Sequence, residues 1–68
     1  MSYIGREYRY KVRSKTQAEL SEELPIVLAA HQNAGWKEVG YEPNDGFPKE
    51  IIFEWTHDRL PIYPRIEL

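Results

Sequence analysis

The sequence predicts a small α+β domain of order β-α-β-β, and three observations carry that prediction. Residues 7–13 read Glu-Tyr-Arg-Tyr-Lys-Val-Arg, alternating charged and apolar side chains with the two-residue period of a half-buried strand. Leu20, Leu24, Val27, Leu28 and His31 then recur at helical spacing. Two further strand-like runs, 36–42 and 50–56, flank the turn-forming stretch Pro43-Asn44-Asp45-Gly46-Phe47-Pro48.

In the first strand, Tyr8, Tyr10 and Val12 are expected to face the core, and Arg9, Lys11 and Arg13 to face water or a partner. The helix is expected over 17–34. Thr16 and Glu19 have capping-box spacing, and Gly35 suits the left-handed residue after the last turn. Pro25 lacks an N–H and crowds the preceding turn. It predicts a kink, or alternatively a second helix start near Glu22 capped by Ser21. Gly40 inside the second strand predicts a bulge or a close backbone approach. In the third strand Ile51, Phe53 and Trp55 share a face, and this most apolar strand belongs in the centre of the sheet.

A strand-helix-strand unit with parallel strands, followed by a tight turn, places the third strand antiparallel between the others. The expected order is 2-3-1, with one helix on one face. The other face should carry Arg9, Lys11, Arg13, Ile52 and Glu54, together with Trp36 and Glu38. Residues 1–56 form the domain, and 57–68 form an extended tail. Pro61 and Pro64 exclude a helix or a central strand there. Yet Leu60, Ile62, Tyr63, Ile66 and Leu68 are too apolar for a solvated tail, so it should pack on its own sheet or on a second chain.

Composition narrows the function classes. A chain of 68 residues builds a core worth only a few kcal/mol. With no cysteine, neither a disulfide nor a thiolate metal site can reinforce it. Self-association is the remaining staple. No apolar run approaches the ~20 residues of a membrane span, and no signal-peptide pattern is present, so a cytoplasmic location is the default. The net charge of −2 names no partner class. Residues 1–15 are basic and the middle of the chain is acidic, which neighbouring elements can neutralise between them.

Three segments carry a resemblance: Glu7-Tyr8-Arg9-Tyr10-Lys11-Val12, Ala34-Gly35-Trp36-Lys37-Glu38-Val39 and Ile51-Ile52-Phe53-Glu54-Trp55. In order and spacing they resemble a widespread bacterial and phage domain family of unknown function. That resemblance spans about residues 6–56 and implies a β-α-β-β fold without implying an activity. Pro25 and the proline-containing tail depart from the family pattern. A second similarity is to dodecins, which stack flavin on a tryptophan. Trp36-Lys37-Glu38-Val39 looks like their strand start, but the last loop is too short and the final strand lacks its glutamine.

The candidate chemistry is sparse. His31 and His57 lie on different elements, so a metal site is not expected, and His31 reads as a structural histidine at the end of the apolar stripe. His57-Asp58 reads as a solvated turn. Glu22 and Glu23 diverge on a helix and read as a solvated face. Asn44-Asp45-Gly46 lacks the ligand ladder of a calcium loop. No serine sits in a nucleophile elbow. No catalytic, metal or cofactor-binding residues are therefore assigned, and an enzyme is not expected. Nucleic-acid binding through Arg9, Lys11 and Arg13 is disfavoured because the alternation turns Tyr8 and Tyr10 to the opposite face. Glu38 and Glu54 would also sit beside the arginines. The leading expectation is a non-catalytic protein-binding or self-assembling module. Ile26, Trp36, Trp55, Leu60, Ile62 and Tyr63 are its candidate interface anchors, and its partner is a second copy or another protein.

Overall fold

A computed structural model describes residues 2–68. Strand β1 (Glu7–Lys11) is followed by helix α1 (Gln17–Ala34), strand β2 (Trp36–Glu42) and strand β3 (Glu50–Trp55). The three strands form one sheet of order β1-β3-β2. Both outer strands run antiparallel to the central β3. This is the α+β architecture and strand order that the sequence predicts.

Helix α1 begins with the expected capping box. The Thr16 side chain accepts from the Glu19 amide, and the Glu19 carboxylate accepts from the Thr16 amide. The helix runs unbroken through Pro25. Ser21 caps no second start, because its hydroxyl donates back to the Gln17 carbonyl one turn earlier. Gly35 ends the helix at φ 124°, a backbone region that strains any side chain. Its carbonyl accepts from both the amide and the hydroxyl of Thr56, which ties the helix end to the end of β3.

β1 stops two residues short of the expected Arg13. The amides of Arg13 and Ser14 turn away from the sheet to the Glu23 carboxylate. A bulge between Glu38 and Gly40 breaks the register of β2, as Gly40 suggests. It also changes which residues face the helix. Trp36 lies opposite Trp55, and Glu38 opposite Phe53. Both therefore share the helix side of the sheet with those core residues, and the expectation that they line the open face is wrong. Lys37, opposite Glu54, takes that place.

The core consists of Tyr10, Val27, Trp36, Ile51, Phe53, Trp55 and Ile66. The last comes from the tail, which folds back on its own chain. Trp55 Nε1 donates to the Arg59 carbonyl (2.8 Å), and Trp36 Nε1 to the Ile62 carbonyl (2.7 Å). The Tyr63 ring meets Tyr8 edge-on at 5.1 Å, and Arg13 Nη1 donates to the Ile66 carbonyl. The tail thus runs from the end of β3 back to the end of β1, on the helix side of the sheet.

A Cβ on Gly35 would overlap His57 Cδ2 and lie 3.0 Å from the Trp55 ring. Gly35→Ala should therefore cost roughly 1–3 kcal/mol in urea unfolding. Part of that loss should return in a His57→Ala background, where the nearer contact is gone. Unchanged stability would show that the helix terminus relaxes freely.

Candidate functional site

Two buried polar side chains lie within the apolar layer, both on α1. Glu23 is 2% exposed and is not on a solvated face as its sequence position suggests. One oxygen accepts from the Tyr10 hydroxyl (2.7 Å) and the Arg13 amide (3.0 Å). The other accepts from the Ser14 amide (2.9 Å) and the Ser14 hydroxyl (2.5 Å). Burial pushes this carboxyl up. The Ser14 hydroxyl, the Arg13 amide, the Tyr10 hydroxyl and the Ser14 amide outweigh that push, holding it below its ordinary value. A fully bonded carboxylate of lowered basicity is a poor proton acceptor and a good structural tie. It fixes the β1–α1 connection to the helix. Burial and the adjacent Glu23 carboxylate raise the Tyr10 phenol well above its ordinary range.

His31 is likewise consumed by structure. Its ring stacks on Phe53 at 4.2 Å with an interplanar angle of 4°, and meets Tyr10 edge-on. Nδ1 lies 2.8 Å from the Val27 carbonyl, which can only accept, so the proton sits on Nδ1. Burial lowers its pKa and keeps the ring neutral. This is the structural histidine that the apolar stripe implies. His57 is exposed, with its ring edge-on to Trp55, and Asp58 accepts from the Tyr3 amide. The His57-Asp58 pair is thereby divided between two structural contacts. Among the described residues, no three His, Cys, Asp or Glu side chains converge as metal ligands.

The residues singled out as interface anchors divide into two sets. Trp36 and Trp55 are buried core residues, packed against each other with ring centroids 5.0 Å apart. Tyr8 and Tyr63 complete the enclosure of Trp36, so a planar ligand could stack on it only after the tail moved. Leu60, Ile62 and Tyr63, by contrast, are 69%, 53% and 54% exposed. The tail turns its backbone and Ile66 inward and Leu60 and Ile62 outward, while Tyr63 covers Trp36 with one face and leaves the rest of its ring exposed. Ile26 is also exposed and lines a groove with Leu68, Glu22 and Arg13.

On the open sheet face, Arg9 is held by Glu7 (3.0 Å) and Glu50 (3.5 Å), rather than by the expected Glu38 and Glu54. Glu38 instead accepts a hydrogen bond from the Tyr41 hydroxyl on the helix side. Burial and that carboxylate raise the Tyr41 phenol to about 12. The basic residues of the first segment are thus partly neutralised within the fold. No family model matches the chain, and neither a curated protein nor a solved structure is detectably similar to it. No helix is long and apolar enough to cross a membrane among the described residues.

The two buried groups predict a stepped acid response. His31 has a lowered folded pKa, so its contribution is complete above the ordinary 6.5 and declines as pH falls below that value. Glu23 contributes fully above 4.5 and is lost as pH falls from there through its lower folded value; the cap residue Glu19 adds to the same window. Urea unfolding from pH 7.5 to 3.5 should show both declines, and His31→Phe should abolish only the first. A profile flat down to pH 5 would contradict the assignment.

Proposed function

We propose that this chain is a non-catalytic protein-interaction module. The observation that carries the reading is the contrast between its buried polar groups and its surface. Glu23 and His31 have every identified bond directed inward, into structure. The tail, in turn, presents Leu60, Ile62 and the exposed side of the Tyr63 ring to solvent from a backbone that is itself anchored to Trp36 and Trp55. Three large apolar side chains held on a fixed scaffold lose little entropy when a partner covers them, and aromatic anchors such as Tyr63 bury much area per residue. Proline at 61 and 64 stiffens this ridge further.

Two other readings have weaker support. Flavin binding in the manner of dodecins needs an open tryptophan face, and Trp36 lies beneath Tyr63. Nucleic-acid binding through Arg9, Lys11 and Arg13 needs free cations beside exposed aromatics. Arg9 is paired twice, and Tyr10 is buried on the opposite face.

A photo-crosslinking amino acid at position 62 tests the reading in the chain's own host cell. We expect a discrete adduct, either at twice the 8.1 kDa chain mass or with one other protein. The same group at Lys37, on the open face, should give none. A smear indistinguishable between the two positions would contradict an interaction ridge.

A further inference from the structure

We propose that the free edge of β1 is a self-pairing seam that joins two copies of this chain into one continuous six-stranded antiparallel sheet. The inference rests on the interaction-module reading and names a partner for it. The Trp55 amide donates to the Arg6 carbonyl, and the Val12 amide to the Lys49 carbonyl. In an antiparallel ladder this parity directs the backbone of even-numbered β1 residues to β3 and that of Glu7, Arg9 and Lys11 outward. Among the described residues, nothing bonds the outward groups. A shallow groove lined only by Tyr8 to Arg13 follows this strand, so no other element covers it.

Edges of this kind template further pairing unless they are guarded, and charge is the usual guard. Here the charges are self-complementary. Outward-facing residues can pair only with outward-facing residues. A two-fold axis at Arg9 is the register that aligns all five residues of both strands. It places Glu7 opposite Lys11 of the second copy, twice by symmetry. The two Arg9 side chains meet at the axis, where like charges would normally repel. Each is already held by Glu7 and Glu50 of its own chain, and Lys11 lies directly across from Glu50. Two arginines and two lysines therefore meet four glutamates. A slip of two residues in one direction sets Arg9 against Lys11. A slip in the other sets Glu7 against Arg9 but leaves Lys11 opposite Gly5, outside the strand, so that only three residues of each strand stay paired. Tyr63, edge-on against Tyr8, flanks the seam.

Light scattering of the full chain over a wide concentration range tests this, read beside amide exchange. The expected result is a rise toward twice the chain mass, with the Glu7, Arg9 and Lys11 amides becoming protected as it occurs. Arg9→Pro removes an outward N–H and no internal backbone bond, giving up only the exposed ion pairs to Glu7 and Glu50, and should leave a folded monomer. Glu7→Lys should weaken dimerisation roughly tenfold. Adding Lys11→Glu to it should restore the dimer, since the swapped pair is again opposite in sign; in the slipped register that sets Lys11 against Gly5 it would not. A monomer at every concentration overturns the seam and leaves the tail ridge to the crosslinking result. A dimer that survives Arg9→Pro without protection of these amides overturns the seam while keeping self-association through another surface.

Discussion

One helix cannot cover three strands, and the rest of this structure follows from how that deficit is met. The apolar side of the sheet carries Tyr8, Tyr10, Ile51, Phe53, Trp55, Trp36 and Tyr41, while α1 approaches β2 most closely. The tail fills the remaining part of the layer. It does so without forming a strand, because Pro61 and Pro64 cannot donate to a ladder. The indole N–H groups of Trp36 and Trp55 substitute for that ladder by donating to tail carbonyls, which satisfies two donors that burial would otherwise leave costly. A tail fixed through its backbone leaves Leu60 and Ile62 pointing outward and Tyr63 lying half-exposed over Tyr8 and Trp36, and together they form the ridge.

The second constraint is polar. A segment of five residues, Val12 to Thr16, must turn from the sheet to the helix with its amides partly buried. Glu23 reaches back from α1 and accepts two of those amides together with two hydroxyls. The same bonds that end β1 therefore set where the helix sits. His31, two turns further along, extends the contact by stacking on the central strand. Both side chains are thus tied into the packing, and the proposed contacts with other molecules lie on the surface. That surface consists of an apolar ridge on one side and a charged, unpaired strand edge beside it.

Most of the fold is legible in the sequence because its signals are local. Alternation in residues 7–13, the Thr16–Glu19 spacing, Gly35 and the bulge at Gly40 each report a backbone preference that needs no knowledge of the rest of the chain. The side assigned to Trp36 and Glu38 is misread because a strand's facing depends on its partner's register, and the bulge puts Trp36, Glu38 and Tyr41 on one side although simple alternation would separate them. Glu23 is misread for a different reason. It stands three residues from Leu20 and four from Val27, within the buried stripe, but charge argues for solvent unless four donors are known to converge on it. The candidate site is less legible still. Leu60, Ile62 and Tyr63 are visible as an apolar tail, whereas the open edge of β1 appears only once the hydrogen-bond parity of the sheet is known.

The most direct measurement is the unfolding free energy of the full chain against a chain ending at Asp58, followed by tryptophan fluorescence in urea. If the tail completes the core layer, its removal exposes the rings around Trp36, deletes Ile66 and strands two indole donors. The truncated chain should then lose roughly 3 kcal/mol or more, with emission shifted toward that of solvated tryptophan. An unchanged midpoint and an unchanged emission maximum would show that α1 alone closes the sheet, and the account of the tail as an integral layer would be wrong.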